Sequence, residues 1–246
     1  MKRLIPLMLS LILFAVCLCG CVSVNPSPLF GGGVVGKGEP ERFEFKVGEI
    51  REIRIDLYCD INYYAAPSDT VTFEVQPNLI EYIKLEESAG ILTVRSARAI
   101  SLPAKAPVLT VSSPALNRFT LNGAGSFTTH DPISSDTFSL HLAGAGSSYI
   151  KLDVNEFDVD MSGAGNYELS GRADIADFTM SGAGRLEALS LQTREAKIDF
   201  SGMGTVRIDC SEKLRINADG MGTVEYKGSP SIDLNKSGLV SIRKIE

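Results

Sequence analysis

Two sets of residues in this chain have the types and spacing that chemistry uses. The first is a glycine pair in Met161-Ser162-Gly163-Ala164-Gly165-Asn166-Tyr167. Glycine, one small residue and glycine open the turns that cradle phosphates, but a dinucleotide fingerprint also needs a third glycine and a following helix. Asn166, Tyr167 and Glu168 follow instead, and they read as a strand. The second set is Asp158, Asp160, Asp177 and Asp199, which could become neighbours on one outward face. Carboxylates about 5–10 Å apart could cleave a glycoside by acid/base chemistry. Lys197, Arg215 and Asn217 share the same outward columns, and mixed signs in adjacent strands read as a solvated, paired face. The two histidines, His130 in a turn region and His141 in an outward column, read as polar surface residues rather than zinc ligands. GxSxG is absent, and no catalytic residue, cofactor or metal is expected.

A third candidate lies near the start. Lys2 and Arg3 precede an apolar run from Leu4 to Val16, which ends Leu18-Cys19-Gly20-Cys21. That pattern is a signal peptide with a bacterial lipobox, so residues 1–20 are expected to be removed and Cys21 to carry lipid. Several acyl chains on one cysteine hold firmly, at about 0.8 kcal/mol per buried methylene. The partners so implied are a membrane, through Cys21, and a protein or glycan ligand. Residues 21–40, rich in Pro, Gly and Ser, are expected to form a flexible tether reaching roughly 25 Å. The formal charge falls from −6 to −8 when Lys2 and Arg3 leave. Such acidity excludes nucleic acid as a partner, since phosphate contacts need a basic patch. Of the remaining cysteines, Cys59 and Cys210 stand in alternating apolar rows. Two buried small hydrophobes is the preferred reading; a disulfide is the alternative in an exported chain.

The elements that must carry these residues follow from a repeat. The glycine phrase returns with glycines at Gly123 and Gly125, Gly144 and Gly146, Gly163 and Gly165, Gly182 and Gly184, Gly202 and Gly204, and Gly220 and Gly222, with a worn copy at Gly238. Four residues before each first glycine stand Phe119, Leu140, Val159, Phe178, Ile198, Ile216 and Leu234. Two before it stand Leu121, Leu142, Met161, Met180, Phe200, Ala218 and Lys236, and the column between is polar throughout. This is the period-two alternation of a strand with one buried face.

A unit of this size cannot close a core alone. Stacked copies can, each strand pairing with its equivalent in the next coil. The fold class is therefore all-β, a parallel β-helix or β-solenoid of about seven coils over residues 118–246, with a less regular β part at 41–117 covering its first coil. Right-handed coiling is expected from the handedness of parallel crossovers. An antiparallel sandwich would explain strands but not seven copies of one phrase. The glycines would turn the corners, where positive φ and close backbone approach exclude other residues. The residue between them runs Ala124, Ala145, Ala164, Ala183, Met203, Met221 and Leu239. This column is expected to pack at the corner, so that Ala164→Phe would destabilise the domain. A calcium-binding repeat would need Asp after the second glycine. Ser126, Ser147, Asn166, Arg185, Thr205 and Thr223 stand there instead.

The stretches FEFKVGEIREIRID and GILTVRSAR, with the string of SGAG and DGMG coils, resemble the putative auto-transporter adhesin family with the head GIN domain over roughly residues 43–240. The resemblance implies a β-helical domain without established catalytic residues, described as an adhesin. The expected function is a lipid-anchored, non-enzymatic interaction module of the cell envelope. An envelope-stress sensor or regulatory lipoprotein is one alternative, and a polysaccharide-active enzyme is another. Tryptophan is absent; Tyr63, Tyr64, Tyr149, Tyr167 and Tyr226 could replace it at a sugar site, though strand packing accounts for them more simply.

Overall fold

The computed structural model describes residues 33–101 and 105–246. Contacts divide the chain into Met1–Gly31 and Gly32–Glu246, and the description concerns the second unit. The expected signal peptide (1–20), Cys21 and the tether as far as residue 32 lie outside the described residues. Residues 33–40, expected within the tether, are held on the domain. Val34 bridges to Ile100, and Asn78 donates to the Val35 carbonyl and accepts from the Lys37 N–H.

The second unit is a parallel β-solenoid of about seven turns. Its regular part runs through β8 (Arg118–Leu121), β9 (Ala124–Thr129), β10 (Ile133–Leu142), β11 (Ala145–Met161), β12 (Ala164–Met180), β13 (Ala183–Phe200), β14 (Met203–Ala218), β15 (Met221–Lys227), β16 (Ser231–Lys236) and β17 (Leu239–Lys244); β1 to β7 are placed below. Each coil comprises three short runs. In β11 the inward positions are Ser148 and Ile150, then Leu152 and Val154, then Phe157, Val159 and Met161. Alternation slips between Val154 and Phe157, where Asn155 drops out of the pairing with β10 and with β12.

Parallel registers join equivalent residues, Ala145 with Ala164, Ala164 with Ala183 and Ala183 with Met203. The two apolar columns read from the sequence are buried from Phe119 to Ile216 and from Leu121 to Ala218. In the last coil Leu234 is half exposed. Aromatic rings link neighbouring coils as well: Phe157 lies 5.9 Å from Phe138 and 6.1 Å from Phe178.

At the glycine corners the hydrogen-bond ladder does not stop. The N–H of Ala164 donates to the Gly144 carbonyl at 3.0 Å, that of Ala183 to Gly163 at 3.0 Å, and that of Met203 to Gly182 at 2.9 Å. A Cβ placed on Gly163 would collide with the Gly144 carbonyl oxygen; one on Gly184, which has φ +146°, would collide with that of Gly165. With both flanking positions pressed on the coil before, the residue between them points to solvent. Ala145, Ala164 and Ala183 are exposed, as are Met203, Met221 and Leu239, the last by 77%. The expected corner packing of this column is therefore wrong. In the first copy Ala124 is half-buried.

The N-terminal part holds β1 (Glu41–Lys46), β2 (Glu52–Asp56), β3 (Asp60–Tyr64), β4 (Thr70–Val75), a single 3-10 turn (Ile80–Tyr82), β5 (Ile83–Ser88), β6 (Ile91–Ser96) and β7 (Val108–Ser112). Its order in space differs from its order in sequence. The coil made by β2 and β3 lies between β6–β7 on one side and β8–β9 on the other, all in parallel. Antiparallel strands β5, on β6, and β4 with β1, on β7, finish that end. This part is thus less regular, and it contributes two coils of its own.

Candidate interaction surface

The four aspartates come together in two outward columns. Asp158 pairs in register with Asp177, and Asp177 with Lys197. Asp160 pairs with Thr179, and Thr179 with Asp199. Asp199 is unsuited to act as a general acid, whose carboxyl must stay protonated near neutral pH. Asn217 donates to Asp199 at 2.6 Å and Lys197 at 2.5 Å, and these donors hold its carboxyl below the usual range. Asp160 faces His141 at 3.1 Å. The hollow beside Asp177 and Lys197 measures about 160 Å³, below the 300–1,000 Å³ of small-molecule sites.

The two histidines have different surroundings. His130 stacks on Tyr64 with centroids 4.5 Å apart and lies 3.1 Å from the Asn62 side-chain oxygen. No group of three metal-ligating side chains occurs among the described residues. Cys59 and Cys210 are free and fully buried, and burial pushes both thiols up. Five coil steps at about 4.8 Å place them roughly 24 Å apart, far beyond the reach of a disulfide.

The other outward face, built from β3, β9, the first halves of β11 to β14, β15 and β17, behaves differently. One of its columns runs Asn62, Thr128, Tyr149, Glu168, Glu187, Arg207, Glu225 and Arg243. Its C-terminal half is a chain of ion pairs. Arg207 donates to Glu187 at 2.9 Å and to Glu225 at 2.7 Å, and Arg243 also donates to Glu225. The Glu225 side chain is only 8% exposed, and Arg243 above all holds its carboxyl below the usual range.

The pairing stops at Glu168. It stands in register with Glu187, a like-charge neighbour that costs stability in a sheet. In the adjacent column Asn166 pairs with Arg185. Tyr149, Asn166, Glu168 and Arg185 make no side-chain hydrogen bond or ion pair among the described residues. With Tyr167 and Glu187 they line a shallow depression of about 450 Å³. Its floor is the paired backbone of β11, β12 and β13, whose inward side chains Ile150, Leu169 and Leu186 are buried.

Tyr149 is 54% exposed, which strand packing alone does not account for. Tyr63 and Tyr167 are buried, and Tyr226 is half-buried against the core. The sequence reading assigned no role to Glu168, Arg185 or Glu187. A signal was available: the third residue after the second glycine, read from Tyr149 onward, runs Tyr, Glu, Glu, Arg, Glu and Arg, in which only the first acid lacks a basic neighbour.

Residues 50–230 match the family described as "Putative auto-transporter adhesin, head GIN domain". The chain belongs to this family. Solved structures share the fold. A putative adhesin from Bacteroides fragilis superposes with a TM-score of 0.78 at 22% identity, covering 87% of this chain and 100% of that one. A protein from Parabacteroides distasonis described as a putative lipid binding protein gives 0.65 at 20%, with 87% and 100% covered. A putative adhesin from Parabacteroides merdae gives 0.62 at 20%, with 87% and 99% covered. No curated protein matches the chain. The family and two of these three neighbours thus carry adhesin descriptions, and the fold they share is the one described above.

Proposed function

We propose that this protein is a non-enzymatic adhesion module, displayed on the cell envelope and anchored by lipid on Cys21, with the glycines of the repeat serving as corners that keep its coils in contact. The observation that carries the reading is the outward face around Tyr149. There an exposed ring and unpaired polar side chains sit on a lattice whose backbone is fully paired, so they are rigidly placed without being used by the fold. Rigid placement lowers the entropic cost of binding. On the other outward face Asp199 is held ionised by Lys197 and Asn217, which removes it as a general acid.

Two measurements test this. Beads coated with the detergent-solubilised full chain should be retained on at least one of polysaccharide, glycoprotein and matrix-protein surfaces. Retention no greater than that of uncoated beads on all three would sink the adhesion reading. For the anchor, bacteria producing the full chain should incorporate labelled palmitate into it, and Cys21→Ser should abolish the label. A label that survives the substitution would place the lipid elsewhere.

A further inference from the structure

We infer that the depression beside Tyr149 binds a neutral saccharide, an inference that rests on the adhesion reading and names the ligand class of that same face. Four observations lead there. Glu168 and Glu187 form a row of acceptors, because an ionised carboxylate can only accept hydrogen bonds. Arg185 supplies donors only, and Asn166 supplies both. Tyr149 presents a half-exposed ring at the end of the carboxylate row, an apolar face beside a polar floor. Tyr149, Asn166, Glu168 and Arg185 have no side-chain partner in the described residues, and Glu187 keeps its Oε1 beyond the Oε2 that takes Arg207, whereas Arg207, Glu225 and Arg243 further along the same column are engaged with one another.

Charge decides among ligands. An anion placed against Arg185 would face two carboxylates in register, and a cation placed against those carboxylates would face a guanidinium. A neutral ligand avoids both conflicts. To satisfy acceptor-only and donor-only groups together it must carry groups that do both, as hydroxyls do. It must also offer a C–H face for the tyrosine ring. A pyranose has both features. A peptide strand would need free backbone groups to pair with, but β12 is hydrogen-bonded on both sides, to β11 and to β13. The volume, about 450 Å³, lies within the range of small-molecule sites. The like-charge pair Glu168 and Glu187 is then a local cost retained for recognition, since hydroxyl donors would relieve it.

The test is saturation-transfer NMR on the detergent-solubilised full chain, with cellobiose, maltose and lactose as neutral probes and glucuronate and glucosamine as charged ones. At least one neutral disaccharide should receive saturation, with signal above that of both charged probes. Tyr149→Ala and Arg185→Ala should each weaken its binding by about tenfold, and Glu168→Gln should weaken it less, because an amide oxygen still accepts. Asp233→Ala, on the other face, should leave it unchanged. All four sites are exposed, so melting should confirm that the variants fold. Binding of a charged probe alone, no saturation of any neutral probe, or affinity indifferent to Tyr149 and Arg185 would each overturn the assignment. Coated beads that are still held by a matrix-protein surface after Tyr149→Ala, with no saccharide bound, would remove the saccharide site while leaving adhesion standing. Saccharide binding without retention of beads would do the reverse.

Discussion

Gly163 and Ala164 are neighbours of similar size, yet the fold asks opposite things of them. The Cβ direction at Gly163 is occupied by the Gly144 carbonyl oxygen, an atom that cannot move without breaking its bond from the Ala164 N–H. Gly163→Ala should therefore cost about 1–3 kcal/mol, the usual range for forcing an extra carbon into packed surroundings. In a domain of this size that lowers the melting temperature by about 2–4 °C per kcal/mol. Ala164→Phe should change stability by less than about 0.5 kcal/mol, as exposed substitutions do. Thermal melts of the two variants check the contrast; equal losses would mean that the corner is packed on both sides. The glycine column was legible because it recurs. The facing of the residue within it was not, since alternation carried across the corner says nothing about which Cβ directions the preceding coil blocks.

Between elements, the coils are joined by backbone ladders and by side-chain pairs that run across them. Glu225 on β15 is the centre of one such chain, taking Arg243 from β17 and Arg207 from β14. Its carboxyl is held below the ordinary value of 4.5, so it binds a proton less readily when folded than when unfolded. Its contribution is present above the unfolded value and is lost as pH falls through the lower, folded one. Glu225→Gln should therefore lower the melting temperature at pH 7, and the gap to the parent should close as pH is lowered below about 4.5. A gap that stays constant with pH would mean that Glu225 acts through packing instead. The paired columns of the repeats were readable from the sequence, because equal spacing aligns equal positions. The place of β2 and β3 was not. Nothing in Ile53, Ile55, Ile61 or Tyr63, all buried, distinguishes a terminal coil from one inserted between two others. The partners that decide it, β6, β7, β8 and β9, lie later in the chain. At the Tyr149 depression the residue types were visible, but exposure had to come from the coil geometry.

Across the whole domain, this order of stacking makes the two ends unequal. A solenoid is held by contacts between nearest neighbours, so loss of a terminal coil removes one interface and loss of an inner coil removes two. At the C-terminal end β16 and β17 each pair on one side only among the described strands, with β14 and β15. Every residue of β16 is exposed. A chain ending at Gly228 should then keep the remaining coils, with strand-rich circular dichroism and a cooperative melt at lower temperature. It would newly expose Leu214, Ile216 and Val224, which are buried in the intact domain, and that exposure accounts for the lowered melt. Removing residues 33–64 is a deletion from the other end of the sequence, but it takes out an inner coil. It strips β6 and β7 of their parallel partners β2 and β3, and exposes the flank of β8 and β9. The deletion also takes β1 from β4. The antiparallel strands that finish this end would be left without a stack to cover. This shorter chain should fail to melt cooperatively and should be cleaved by protease under conditions that spare the chain ending at Gly228. If both truncations melt alike, the coil of β2 and β3 does not bridge the two parts, and the order of stacking described here is wrong.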